Sequence, residues 1–148
     1  SKGLPEEVFL FVTKITPMIN VDLLVQNEGG HTLLTWREDK FISGGWHIPG
    51  GIIRHREKFS DRIRAVAALE LGTKVEFEPK PLAFNEIFHP TQDVRGHFIS
   101  LLFRCTLKAP PAEGLRFGGG QPRPGQWAWH DGCPDNLLSF QGIYRSFF

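Results

Sequence analysis

Glu57 and Glu70 are the residues whose type and surroundings best suit them to do chemistry. Both lie in one run, residues 44–72 (GGWHIPGGIIRHREKFSDRIRAVAALELG). Its paired glycines, Gly50 and Gly51, let backbone amides and carbonyls approach a ligand that a Cβ would hold away. Glu57 follows them closely, and Glu70 comes thirteen positions later, two before Gly72. Carboxylates beside bare main-chain oxygen suit a hard cation such as Mg2+, which takes oxygen ligands and shares them with phosphates. Each feature alone has a plainer reading, because Pro-Gly-Gly is a frequent turn and an acid near a helix entry complements the helix dipole.

Two further side chains could join them. Asp22 interrupts an apolar run (VDLLV), where a charge must be paired, sit at a strand end, or face a ligand, because burying it alone is costly. Arg37 closes the next apolar run (TLLTWR), and a guanidinium there can take a phosphate through two parallel hydrogen bonds.

These groups need strands and one helix to bring them together. Residues 21–25 and 32–37 read as strands, joined by a loop with hairpin chemistry at 27–30. Residues 37–45 read as a connector, and 46–48 as a strand entering the glycine turn. The following helix carries Phe59, Ile63, Val66 and Ala67 as an apolar stripe, joined by Leu69, while Arg62 and Arg64 point elsewhere. Ahead of all this, Pro5 and two acids open a helix over 5–15, with Val8, Phe11, Val12 and Ile15 as its packing face. Later strands are expected at 74–78, 82–89, 97–107 and 126–130. In the longest of these, Phe98, Leu101 and Phe103 are core candidates, and weak alternation suits a strand covered on both faces. The Gly- and Pro-rich stretch 109–125 reads as a long loop, 134–140 begins a helix, and the aromatic residues 144–148 dock on the core or on a second subunit. The class is α+β, in one domain spanning 1–148.

Composition narrows the function. Apolar residues make up 41% and charged residues 22%, as in a globular chain, and a net charge of +1 gives no electrostatic case for nucleic acid or an acidic membrane. No segment approaches a membrane span. Two cysteines make no disulfide framework, so Cys105 reads as a buried thiol and the setting as reduced and cytoplasmic.

The 51–72 run resembles the Nudix box: a glycine, five residues, a glutamate, seven residues, then Arg-Glu, an apolar residue, and a Glu-Glu pair before a closing glycine. Gly51, Glu57, Glu70 and Gly72 fall in register, whereas Ala65, Val66 and Leu69 replace the arginine and two glutamates. The GDP-mannose mannosyl hydrolase branch of that family also lacks some of these glutamates. The likeness to that branch extends over residues 15–39 (ITPMINVDLLVQNEGGHTLLTWRED) and, more weakly, through HFISLLFRCTL to WAWHD.

The resemblance implies a mixed β-sheet sandwiched between α-helices (α/β/α) and Mg2+, with Mn2+ as the alternative ion. It further implies a small-molecule nucleoside diphosphate sugar as substrate, and a homodimer. Its ligands would be Glu70 and a carbonyl of Gly50 or Gly51. Asp22, Arg37 and Glu70 occupy matching places. Ile52 stands where the branch has a substrate-binding arginine, and Arg54, two residues on, is the expected substitute. Arg64 and His89 are further substrate-binding candidates, with His97 a candidate catalyst beside Glu70 and Arg37. The branch keeps its base histidine in the late loop, where this chain has Gln121, Arg123 and Gln126 instead. The expected reaction is attack of water on the sugar's anomeric carbon. Conventional cleavage between phosphates and binding without turnover are the alternatives.

Overall fold

The computed structural model describes residues 3–40 and 42–148; Phe41, in the expected connector, lies outside them. Helix α1 (Glu6–Ile15) leads into strand β1 (Met18–Val25). Strands β2 (Thr32–Asp39), β3 (Ile42–His47) and β4 (Gly50–Ile52) follow, then helix α2 (Phe59–Val66). The chain continues through β5 (Val75–Phe77), β6 (Ala83–Phe88), β7 (His97–Leu107) and β8 (Trp127–His130). It ends in a 3-10 helix over Ser139–Phe147.

The strands form two sheets. The larger is mixed and ordered β4-β1-β7-β5, with β6 also on β7; only β1 and β7 run parallel. The smaller is antiparallel and ordered β3-β2-β8. The class is α+β as expected. β1 and β2, however, are not a two-stranded hairpin: they part into different sheets after a single bridge between Gln26 and Thr32. The predicted connector at 37–45 shrinks, because β2 runs on to Asp39 and pairs with Ile42 of β3.

Period-two alternation in β1 sorts its side chains between two cores. Val21, Leu23 and Val25 face α2 and pack with Ile63, Val66, Ala67, Leu71 and Phe103. Leu24 packs on the other side with Leu34, Trp36, Trp46, Ile48, Leu102 and Tyr144. Neighbouring Leu102 and Phe103 of β7 likewise enter opposite cores, so that strand is covered on both faces.

Three packing expectations are corrected. Val8, Phe11 and Ile15 of α1 are exposed, and the helix turns inward through Thr13. Leu69 is 76% exposed and leaves the α2 stripe, because the helix widens into a π turn at Ala67–Leu71. The last helix begins at Ser139 rather than 134 and is of 3-10 type. Tyr144 docks on the core as expected and is fully buried, and so is Cys105.

Candidate functional site

Asp22 shares the parity of Leu24, so its carboxylate points away from α2 toward the C-terminal 3-10 helix. It is 3% exposed. One oxygen accepts from Asn20 Nδ2 at 2.5 Å and the other from the Tyr144 hydroxyl. β1 is flanked by β4 and β7, so Asp22 is no edge or strand-end charge. Burial pushes its pKa up to about 7, although both hydrogen bonds pull it down.

The second carboxylate arrives from the other end of the box. Glu70 lies at the helical spacing of Ile63, Val66 and Ala67, and therefore on the inward face of α2. The π turn carries it, and the helix closes at Gly72 in the left-handed conformation (φ 63°), which glycine adopts without Cβ strain. Such π turns occur often at functional sites. Glu70 Oε2 accepts from the Gly50 amide at 3.0 Å. Burial raises its pKa to about 7, and nearby Asp22 adds to the rise.

Gly50 is the hinge between the two acids. It pairs with Asp22 in the β1–β4 ladder while donating to Glu70. A Cβ on Gly50 would stand 2.2 Å from Asp22 Oδ1 and 2.8 Å from the Val21 carbonyl oxygen, so only glycine fits. The glycine pair thus works first by steric absence.

Asp22, Gly50, Gly51 and Glu70 line a cleft of about 1740 Å³ together with Arg37, Arg54, His89 and Arg95. Arg37 is held by Asp39, Nε to Oδ2, at 3.3 Å. Glu57 is not a cleft carboxylate: it grips Arg62 through two bonds of 2.9 and 2.5 Å and accepts from the Arg54 amide at 3.0 Å. That pair draws the Glu57 carboxyl down to about 2 and fixes the loop bearing Arg54. Arg62, expected to point away, is 7% exposed for the same reason.

Two predicted site residues are not brought to these carboxylates. Arg64 lies over the Phe77 ring at 5.3 Å, one residue and so about 100° round the helix from the buried Ile63. His97 stacks on Phe88 at 4.3 Å between ring centroids, and it is Phe88 of that pair that lines the cleft. His89 does reach the cleft, where its Nδ1 accepts from the amides of Thr91 and Gln92 and holds the turn.

Sequence reasoning missed three residues. Tyr144 is the partner of Asp22, and only an aromatic C-terminus hinted at it. Arg95 lines the cleft from the β6–β7 turn. His47 lines it from β3, with Nδ1 2.9 Å from the Thr35 carbonyl oxygen. That oxygen can only accept, so Nδ1 carries the proton and Nε2 is left as an acceptor. Burial lowers the ring's pKa to about 4, which keeps it neutral.

The donor set can be tested against a divalent ion. No group of three or more His, Cys, Asp or Glu side chains gathers among the described residues. Both Asp22 oxygens are engaged, whereas Glu70 has Oε1 beyond its bond to Gly50. One carboxylate with main-chain oxygen, the rest of the shell being water and substrate phosphate, is a set that Mg2+ commonly accepts. Two buried acids with raised pKa values are also what a cation would relieve.

No family model matches the chain. Among solved structures it is similar to a MutT NUDIX hydrolase from Burkholderia pseudomallei, with TM-score 0.67, 15% identity, and 88% of this chain and 97% of that one covered. An ADP-ribose pyrophosphatase from Streptococcus suis gives TM-score 0.60 at 19% identity, covering 86% and 84%. The MutT protein from Methanosarcina mazei gives 0.62 at 19%, covering 89% and 91%. The fold is that of the Nudix hydrolases.

Among curated proteins, the low-salt glycan biosynthesis protein Agl8 of Haloferax volcanii is 34% identical over 108 residues, covering 70% of this chain and 68% of that protein. The chain belongs to the family of that protein, on a Nudix scaffold. The narrower GDP-mannose assignment finds no support in these comparisons. Among the described residues no helix is long and apolar enough to cross a membrane.

Proposed function

We propose that the chain is a Nudix-type hydrolase of a nucleoside diphosphate sugar, acting with Mg2+ or Mn2+. One observation carries the reading: Glu70 is presented on the Gly50 amide beside Asp22, in a cleft also lined by Arg37 and Arg54. Acidic and cationic groups converging on one cleft suit a ligand that is a polyanion and brings its own cation. The glycan-biosynthesis name of the 34% identical relative favours a sugar nucleotide among such ligands.

Glu70 and a main-chain oxygen of Gly50 or Gly51 would hold the ion, whose chemistry when bound is to neutralise the diphosphate leaving group. Arg37 and Arg54 add to that neutralisation through charge-assisted hydrogen bonds. Water forms a bond to the anomeric carbon as the carbon–oxygen bond to the diphosphate breaks. The electron pair departs with the nucleoside diphosphate, and the water's proton passes to solvent. With positions 65, 66 and 69 held by alanine, valine and leucine, the box offers Glu70 as its one cleft carboxylate. That scarcity suits neutralising a leaving group better than binding several ions for attack at phosphorus.

Hydrolysis of a panel of nucleoside diphosphate sugars in 18O-water tests this. Label in the free sugar supports attack at carbon. Label in phosphate moves the reaction to conventional phosphorus attack, and no product with any sugar nucleotide overturns the proposal.

A further inference from the structure

Arg95 stands out in the turn between β6 and β7. Its backbone has φ 55°, the left-handed region that side-chain-bearing residues avoid, and Arg95 and Arg56 alone adopt it among the described non-glycine residues. Strain of this kind persists only where the surroundings impose it, and it gathers at ligand clamps. Three contacts impose it here. The Arg95 amide donates to Thr13 Oγ1 at 2.9 Å, and that buried hydroxyl donates in turn to the Leu10 carbonyl at 2.7 Å. The guanidinium lies over the Phe9 ring at 5.6 Å. The turn itself is closed by His89 N donating to Gly96 O at 2.7 Å.

Two of these contacts come from α1, whose usual packing face is turned to solvent. The helix instead spends its inward residues, Phe9 and Thr13, on Arg95. Arg95 lines the cleft with Arg37; burial and then the charge of Arg37 lower the Arg95 pKa, against the opposing pull of Asp39 and Glu6, so the two guanidiniums sit within electrostatic reach.

We propose that Arg95 is a substrate-binding arginine that takes the phosphate groups of a nucleoside diphosphate from the α1 side of the cleft, with Thr13 and Phe9 as its positioning residues. This rests on the sugar-nucleotide reading above and adds α1 and the β6–β7 turn to the specificity-determining surface. A merely structural arginine would be improved by glycine at φ 55°, with no effect on ligand.

The test is calorimetric binding of GDP, UDP and ADP, each with Mg2+, to the wild type, Arg95→Gly, Arg95→Asn, Thr13→Val and Arg37→Ala, with thermal unfolding measured in parallel. Arg95→Gly and Arg95→Asn, both tolerant of the left-handed region, should bind at least about tenfold more weakly while unfolding no earlier than the wild type. Thr13→Val should weaken binding less, because the guanidinium survives but is no longer anchored. If Arg37→Ala weakens binding while both Arg95 variants stay within about twofold of wild type, this inference fails and the cleft reading stands. If the wild type binds none of the three, both fail.

Discussion

Tyr144 donates its hydroxyl to Asp22 across 122 positions of sequence, tying the C-terminal 3-10 helix to the central strand at the point where β4 delivers Gly50. Both residues are buried, so the bond has no water to replace it. The charge on Asp22 also helps raise the Tyr144 pKa, which keeps the phenol a donor. The 3-10 helix over Ser139–Phe147 is thereby a structural part of the site.

Removing that hydroxyl leaves a buried carboxylate with one partner. Tyr144→Phe should destabilise the fold by about 1–3 kcal/mol in urea unfolding. A loss under about 0.5 kcal/mol would mean that water or another donor reaches Asp22.

Gly50→Ala puts a methyl into the space held by Asp22 Oδ1 and the Val21 carbonyl oxygen. The carboxylate can move only by giving up its bonds to Asn20 and Tyr144, and the carbonyl only by shifting the β1 backbone. The variant should lose about 1–3 kcal/mol of stability and, by displacing the amide that holds Glu70, most of its activity. Thermal melts and turnover measured on the same preparation check both effects.

Glu70→Gln keeps an acceptor for the Gly50 amide and removes the charge. Turnover should fall roughly a hundredfold or more, with the unfolding midpoint near that of the wild type. Wild-type turnover in the variant would rule out the carboxylate as the ion's ligand.

His47 adds one acid-sensitive component to stability. Burial holds its pKa at about 4 against an ordinary 6.5. Above pH 6.5 the ring is neutral in both folded and unfolded chains and adds no pH dependence. Between pH 6.5 and 4 only the unfolded chain takes the proton on this ring, so the His47 contribution falls by up to about 1.4 kcal/mol per pH unit. Asp22 and Glu70, whose pKa values are raised in the folded chain, contribute in the opposite sense. The stability of His47→Gln relative to the wild type should therefore rise as pH falls, in denaturant titrations at pH 7, 6 and 5. An unchanged slope would assign it to other groups.

The box region shows how much was written in the linear order of residues. Glycines at 50 and 51, a glutamate at 70 and a glycine at 72 give a turn, an inward acid and a helix stop, all of which follow from local rules of backbone freedom and helical period. Asp22 could likewise be marked from its apolar neighbours, because a charge among them must answer for its desolvation. Those same rules misplaced Leu69 and Arg62: the first depends on a π turn that no period of 3.6 anticipates, the second on an ion pair with Glu57.

What the folded chain alone decided are the relations between distant segments. Sequence spacing suggested Glu57 as a cleft carboxylate, yet the fold spends it on Arg62 and joins Glu70 to Asp22 through Gly50 instead. It set Arg64 on Phe77 and His97 on Phe88, away from the acids, and brought in Arg95, His47 and Tyr144. Residue type and local spacing determine what a side chain can do and which face of its element it takes. Which faces meet is fixed by long-range strand pairing and burial, and those depend on the whole chain at once.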